Sequence, residues 1–316
     1  MTRQTWLANL AILSVAVVWG GTFPLVKDGA ASVSAAGFVA LRMAIAVLAL
    51  LPLAWRGLRA LPLRWVAYGF ACGLVLGAGY VLQVAGLQTI PPGRAAFITG
   101  FYGPLTPVLA ALVGRQAITK PVVLAMVLAL LGLGGLFWED LSLSISVGDA
   151  LVLLAAVAWA AQIVMVSFFR RDLDPAAMAL VQSLACGIGA WAMDAATGTP
   201  TNFLALSDLT WFAAAFTGVF CTALAFAVQA WAQRYTPPAV AGLIFCTEPV
   251  WGMVAGVLFA AETFTTTALI GSALLLLGMM TPDAATLLAP HQARLLNRLR
   301  LMRVAARAAA QIPRRT

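Results

Sequence analysis

Long apolar runs follow one another along this chain, separated only by short polar breaks. Each run reaches the about 20 residues that a helix needs to cross a bilayer. The pattern predicts ten spanning helices, near residues 6–26, 34–55, 65–86, 93–113, 119–138, 147–169, 175–196, 209–231, 237–261 and 264–282. Helices are favoured over a barrel because a barrel strand alternates in polarity at every second residue, and these runs do not. The breaks are too short to hold a separate catalytic or ligand-binding domain.

The ten segments fall into two halves that echo each other. Val17-Val18-Trp19-Gly20-Gly21 recurs as Val157-Ala158-Trp159-Ala160-Ala161 at an offset of 140. Gln83, whose segment closes on Pro91-Pro92, recurs as Gln229 before Pro237-Pro238, at 146. Pro104 recurs as Pro249, at 145. Five spans is an odd number, so the second half enters the membrane with the opposite orientation. The expected fold is an all-α integral membrane protein of ten transmembrane helices, arranged as two inverted five-helix repeats, a plan common among secondary transporters. The division expected is 1–138, 139–283 and a basic tail over 284–316.

Composition agrees with this class: the chain is 62% hydrophobic and 9% charged, with a mean hydropathy of +0.96. Charge then orients it. With the N-terminus inside, 16 of the 19 basic residues fall on the cytoplasmic side, among them Arg56, Arg59, Arg64, Arg115, Lys120, Arg170, Arg171 and Arg234. Asp28, Glu139, Asp140, Asp149, Asp194, Asp208 and Glu262 gather toward the other side. The positive-inside rule therefore puts both termini in the cytoplasm. The net charge of +8 reflects loops and tail beside an anionic membrane surface, not a nucleic-acid site. The tail places Leu295, Leu299, Met302 and Ala306 at helical spacing among arginines. It reads either as a helix on the inner leaflet or as a plain basic tail. The first span is longer than the apolar core of a signal peptide, and Trp19 has a partner in the second half, so the segment is expected to stay. Cys72, Cys186, Cys221 and Cys246 all lie within predicted spans, none with metal-ligand spacing to another or to His291, the one histidine.

Polar, aromatic and helix-breaking residues inside spans carry the remaining information, because each is costly in lipid unless it faces protein or water. Arg42 lies in the second span, and its counterpart at offset 140 is Gln182, also polar. Glu248 lies in mid-membrane beside Pro249, which frees a backbone carbonyl one turn back. Arg42, Glu248, Pro104 and Pro249 are the candidates for gating or coupling, with interhelical bonding or snorkelling as the structural alternative for the charged pair. Gln83 and Gln229 hold matched positions, suited equally to bonding between helices and to recognising a zwitterion. Tyr80 shares a face with Gln83. Trp19 and Trp159 lie too deep for interfacial anchors and stand among small residues, so their rings project into shared space. Phe101, Tyr102 and Trp251 flank the mid-span prolines. Trp19, Tyr80, Gln83, Phe101, Tyr102, Trp159, Gln182, Gln229 and Trp251 form the expected substrate-binding set, with plain packing as the rival for the aromatic members.

At these residues the chain resembles the EamA-type drug/metabolite transporters. The resemblance rests on Trp19-Gly20 in the first span, Arg42 in the second and Glu248-Pro249 in the ninth, and it runs from about residue 6 to 282. There are departures. Gly114-Arg115-Gln116 stands where the family often has Gly-Glu, Glu262 follows Ala260-Ala261, and Ala160-Ala161 replaces glycine in the sixth span. The resemblance implies export of small metabolites across the bacterial inner membrane, most like the aromatic and neutral amino-acid exporters of that family.

The expected function is secondary transport of a small amphipathic solute by alternating access, without a cofactor or metal and with the lipid bilayer and the solute as the partners. There is no Gly-x-x-x-x-Gly-Lys-Ser/Thr, so the chain has no nucleotide-binding loop of that kind. Multidrug efflux fits an aromatic pocket too, and a channel fits the topology. Nucleotide-sugar or sugar-phosphate exchange calls for several buried cations, and the chain offers Arg42 within a span and little else. An intramembrane enzyme would need a nucleophile with its base, paired carboxylates or a metal cluster, and intramembrane acid comes down to Glu248.

Overall fold

The computed structural model describes residues 2–136, 145–260 and 265–282. The basic tail, His291, Glu139, Asp140 and Glu262 lie outside the described residues. Those described are helical with short turns, and no strand occurs among them. The helices are α1 (Arg3–Gly20), α2 (Phe23–Gly29), α3 (Ala35–Arg59), α4 (Leu63–Leu87), α5 (Pro92–Gly100), α6 (Tyr102–Leu112), α7 (Lys120–Leu136), α8 (Val147–Val166), α9 (Pro175–Ala195), α10 (Asp208–Gly218), α11 (Ala225–Ala232), α12 (Pro238–Phe245), α13 (Glu248–Ala260) and α14 (Thr266–Pro282). A π-helical turn, Val219–Leu224, joins α10 to α11. By length and composition seven of these helices, counting the pairs across short breaks, can cross a membrane. An eighth results if the bent pair α1–α2 is one span, and α7 and α14 are shorter apolar helices.

The helices start where the sequence can satisfy their free N–H groups. Ser34 Oγ accepts from Gly37 N–H at 2.8 Å and Asp174 Oδ1 from Ala177 N–H at 2.8 Å. Ser146 and Asp149 form a reciprocal capping box at the start of α8. Pro92, Pro175 and Pro238 open their helices, where a missing N–H costs nothing. One end of the bundle gathers loops 30–34, 88–91 and 196–207, with Asp28, Asp149, Asp194 and Asp208 nearby. The other gathers loops 60–62, 113–119, 167–174 and 233–237 with most of the described arginines. We call these the acidic and the basic end.

Four interruptions depart from the straight spans expected. The first span bends by 44° between α1 and α2. The fourth breaks at Phe101 and the ninth at Cys246-Thr247, each within three residues of the mid-span proline that removes an N–H donor. The eighth carries the π-helical turn, which nothing in its composition signals. Gly100 O lies four residues before Pro104 and accepts from Cys246 Sγ at 3.1 Å, so the two broken spans meet at their breaks.

Helices from the two halves interleave. α3 packs on α9, α4 on α8 and α9, α1 on α11 and α13, and α6 on α8 and α12. Glycines permit the closest of these approaches. A Cβ at Gly73 would lie 2.3 Å from Gln182 O, and one at Gly20 would lie 2.3 Å from Glu248 O. Gly73→Val is expected to destabilise the fold by about 1–3 kcal/mol through overpacking of α4 on α9. Gly134→Ala, where the added methyl meets nothing within 4 Å, provides the control. Thermal unfolding in detergent checks both; equal transition temperatures for the two variants would remove the close contact from the account.

Candidate functional site

Trp19 ends α1 beside the bend, and its ring is the hub of an aromatic cluster. It stacks on Phe245 at 5.1 Å and lies 5.9 Å from Trp159 and 5.8 Å from Phe226. Tyr80 meets Trp159 edge-on at 4.6 Å, and Trp159 stacks on Phe226 at 6.4 Å. These rings come from α1, α4, α8, α11 and α12 and form a septum across the middle of the bundle.

On the acidic side of the septum lies a small cavity of about 40 Å³, room for a few waters and well below the volume of an open small-molecule site, so in this state the site is closed down. Trp19, Arg42, Tyr80, Tyr102, Trp159 and Glu248 line it and are all buried; Thr22 and Gln83 also line it and are half-buried. Phe23, Val26, Leu87 and Thr99 complete the wall. Toward the acidic end α2 is tied down over this region, with Lys27 Nζ donating to Ile90 O at 2.6 Å and Gln88 Nε2 to Ala30 O at 2.7 Å.

Arg42 is 4% exposed, so its charge depends on partners. Nε donates to Thr222 Oγ1 at 2.8 Å, and Nη2 donates to Tyr80 Oη at 2.9 Å and to Cys221 O at 3.4 Å. The guanidinium also lies 4.2 Å from the Tyr80 ring centroid. Cys221 O is available because the π-helical turn displaces the usual backbone pairing, and it also takes Trp19 Nε1 at 2.8 Å. Glu248, 6% exposed, accepts from Tyr102 Oη at 3.0 Å. Arg42 and Glu248 thus face one cavity from different helices, and among the described ion pairs none joins them. Trp159 Nε1 is buried and has no hydrogen-bond partner among the described residues. A Cβ at Gly79 would lie 3.6 Å from that nitrogen, so the missing side chain leaves room beside it.

Seven of the residues expected from the sequence therefore share this cavity: Trp19, Arg42, Tyr80, Gln83, Tyr102, Trp159 and Glu248. Six do not line it. Phe101 packs edge-on against Phe97 at 5.3 Å. Trp251 Nε1 donates to Thr247 Oγ1 at 3.1 Å, in the break just before its helix. Pro104 and Pro249 lie next to the breaks of their spans. Gln182 and Gln229 hydrogen-bond to Gln162 beyond the septum. The sequence reading missed Thr22, Thr99, Thr222 and Gln162. Thr22 follows Trp19 by three residues and was legible as sharing its face; Thr222 was not, because only the π-helical turn brings it to Arg42.

Elsewhere, Arg94 donates to Asp149 through Nε at 2.5 Å and Nη2 at 2.8 Å, joining the starts of α5 and α8 at the acidic end. Arg115 bonds Ser167 at the basic end. The four cysteines are buried and free. Among the described residues no cluster of histidine, cysteine, aspartate and glutamate is arranged to hold a metal ion.

The Arg42 fork is expected to support the fold as well as the cavity. Arg42→Lys offers one ammonium that cannot reach Thr222 and Tyr80 together, and is expected to cost about 2 kcal/mol. The check is a lowered transition temperature in detergent; an unchanged one would show that the fork holds nothing together.

Comparison with known proteins agrees with this architecture. The EamA-like transporter family matches residues 6–138 and, a second time, residues 146–281. An "Uncharacterized transporter" of Archaeoglobus fulgidus is 32% identical over 273 residues, covering 86% of this chain and 84% of that one. The "Uncharacterized transporter YyaM" of Bacillus subtilis is 25% identical over 282 residues, covering 86% of this chain and 92% of that one. A solved crystal structure superposes with a TM-score of 0.72 at 18% identity, covering 90% of this chain and 98% of its own, and so shares the fold.

Proposed function

The chain belongs to the EamA-like transporter family, and from that premise we propose that it exports neutral and aromatic amino acids by alternating access. It is a multi-pass membrane protein of that family, and the family and its relatives' names mark a transporter rather than an enzyme. The observation that carries the amino-acid reading is the cavity's pairing of one guanidinium with one carboxyl group that are not bonded to each other. Arg42 suits a carboxylate, Glu248 an ammonium, and the rings of Trp19, Tyr80 and Trp159 an apolar or aromatic side chain. Trp159 Nε1 adds a buried donor that no described residue uses. With both groups charged the cavity is neutral, which favours a zwitterion over a sugar phosphate.

The proposed architecture is ten spans in two inverted five-helix repeats, 1–138 and 139–283, followed by a cytoplasmic tail. The bent pair α1–α2 and the short helices α7 and α14 bring the candidate spans to ten. The family match falls on each half in turn. The contacts also come in exchanged pairs: α1 on α11 corresponds to α8 on α4, and α1 on α13 to α8 on α6. The arginine-rich basic end faces the cytoplasm of a bacterial inner membrane by the positive-inside rule. The cavity then lies in the outer half, and the septum closes its cytoplasmic side.

Proteoliposomes containing the purified protein are expected to take up labelled neutral and aromatic amino acids saturably. Methyl esters and N-acetyl derivatives, each lacking one charge, are expected to compete at least tenfold less well. Arg42→Gln and Glu248→Gln are each expected to lower kcat/KM by about 10- to 100-fold, the equivalent of one charge-assisted hydrogen bond. An unchanged rate under a pH gradient would assign Glu248 to binding and gating instead of proton coupling. If no amino acid enters and cationic amphipaths do, the amino-acid reading falls and the protein is a drug exporter with Glu248 as the counter-charge.

A further inference from the structure

A second polar cluster lies beyond the septum, on its basic side, and the cavity does not use it. Gln162 on α8, Gln182 on α9 and Gln229 on α11 are all but completely buried. Gln162 Nε2 donates to Gln182 Oε1 at 3.0 Å and to Gln229 Oε1 at 3.4 Å, and Gln229 Nε2 donates back to Gln162 Oε1 at 3.1 Å. Gln162 follows Trp159 by three residues and Gln229 follows Phe226 by three. Both amides therefore lie one turn beyond the stacked ring pair, on the same helical faces. Gln233 continues the row toward the basic end; its Nε2 donates to Ile163 O at 2.8 Å, while its buried Oε1 has no partner.

The repeat relates this cluster to the cavity residue by residue. At offset 140, Thr22 corresponds to Gln162 and Arg42 to Gln182; at 146, Tyr80 corresponds to Phe226 and Gln83 to Gln229. Four residues that line the cavity thus have counterparts in the glutamine cluster and the ring beside it. One set lines empty space; the other is packed, with its polar groups satisfied mainly by one another. In an inverted repeat, alternating access rocks one half against the other about their interface, so the state open at the basic end has the second half in the conformation that the first half has here. We propose that Gln162, Gln182 and Gln229 form a second binding station for the same zwitterionic solute, closed in this state and open when the basic end opens.

Three primary amides offer donors to a carboxylate and acceptors to an ammonium without a net charge of their own. While the station is empty they bond one another, and when it opens they turn to solute and water. The inference rests on the amino-acid reading for the identity of the solute, but not for the path.

Gln162→Leu in the full-length protein tests it. Leucine is at home in the packed state and poorly suited to a wet one, so the basic end is held closed. Uptake is expected to fall at least tenfold, while amino-acid binding to the purified protein stays within threefold, because Arg42 and Glu248 are untouched. A cysteine at Val166, buried one turn beyond Gln162, reports the opening through an impermeant maleimide applied from the basic end. The native cysteines are buried and give little background. Gln162→Leu is expected to slow this labelling at least fivefold, and Gln229→Met gives the same readouts should the leucine variant fail to fold. Undiminished uptake together with unchanged labelling overturns the proposal and leaves the amides as interhelical bonds. Absence of amino-acid uptake in the unsubstituted protein defeats the amino-acid reading instead, and the labelling comparison still decides the path.

Discussion

The carbonyl oxygen of Cys221 holds the centre of this structure together. In a regular helix it would be occupied by the amide four residues on, and in hydrocarbon no water would take its place. The π-helical turn Val219–Leu224 displaces that pairing and turns the oxygen toward Trp19 Nε1 and Arg42 Nη2. The same turn presents Thr222 Oγ1 to Arg42 Nε. An arginine among apolar helices is tolerable only when most of its donors are met, and here a local change of backbone pitch meets them. The matching position in the first half, 146 residues earlier, is Val75 in the uninterrupted helix α4. No carbonyl is released there, and Trp159 Nε1, the counterpart of Trp19 Nε1, has no partner among the described residues. This irregular turn, together with the α1–α2 bend that the uninterrupted α8 lacks, distinguishes the two related halves, which have a cavity on one side of the septum and packed amides on the other.

The other interruptions obey the same constraint. Irregular backbone at membrane depth survives only inside protein or beside a water-filled space. The bend after Gly20, the break at Phe101 and the break at Cys246-Thr247 all lie within a few residues of the cavity or its septum. Pro104 and Pro249 produce two of them by removing an N–H, and glycines let the broken spans approach until they satisfy each other. A Cβ at Gly103 would lie 2.4 Å from Cys246 Cβ, and one at Gly242 would lie 2.6 Å from Thr106 Cβ. Small residues and prolines that weaken single helices thus become, in pairs, the means by which helices from opposite halves interlock.

Much of this was legible in the sequence, and the rest was hidden for definite reasons. Apolar run length and the recurrence of Trp19 as Trp159 follow from one-dimensional spacing, which survives folding. Arg42 and Glu248 stood out because charge within a span demands an explanation, and both reach the cavity. Phe101 and Trp251 were grouped with the cavity aromatics by proximity to the prolines. Each instead meets the residue four positions before it, one helical turn back: Phe101 packs on Phe97, and Trp251 Nε1 donates to Thr247. Gln182 and Gln229 were paired with Arg42 and Gln83 by sequence offset, but they lie on the far side of the septum, bonded to Gln162 and not beside those residues. Gln162 was missed because its counterpart, Thr22, is an unremarkable residue within a span. The π-helical turn left no trace at all, since its hydrogen-bond register depends on what Trp19 and Arg42 require of it.

On the proposed reading, the arrangement also bears on how the carrier returns empty. A buried arginine, a buried carboxylate and three buried amides would normally hold an empty site in one state, because each needs water or solute to offset desolvation. Here each has a protein partner. Arg42 has Thr222, Tyr80 and Cys221, Glu248 has Tyr102, and the amides have one another. A solute therefore competes with bonds already made, which limits its affinity and leaves the empty sites able to close. Tight binding would call for unpartnered charges in the cavity, and rapid exchange across the membrane calls for the opposite. Among the described residues, the buried donor left without a partner beside the cavity, Trp159 Nε1, is a weak neutral one, so a solute can gain from it without being held.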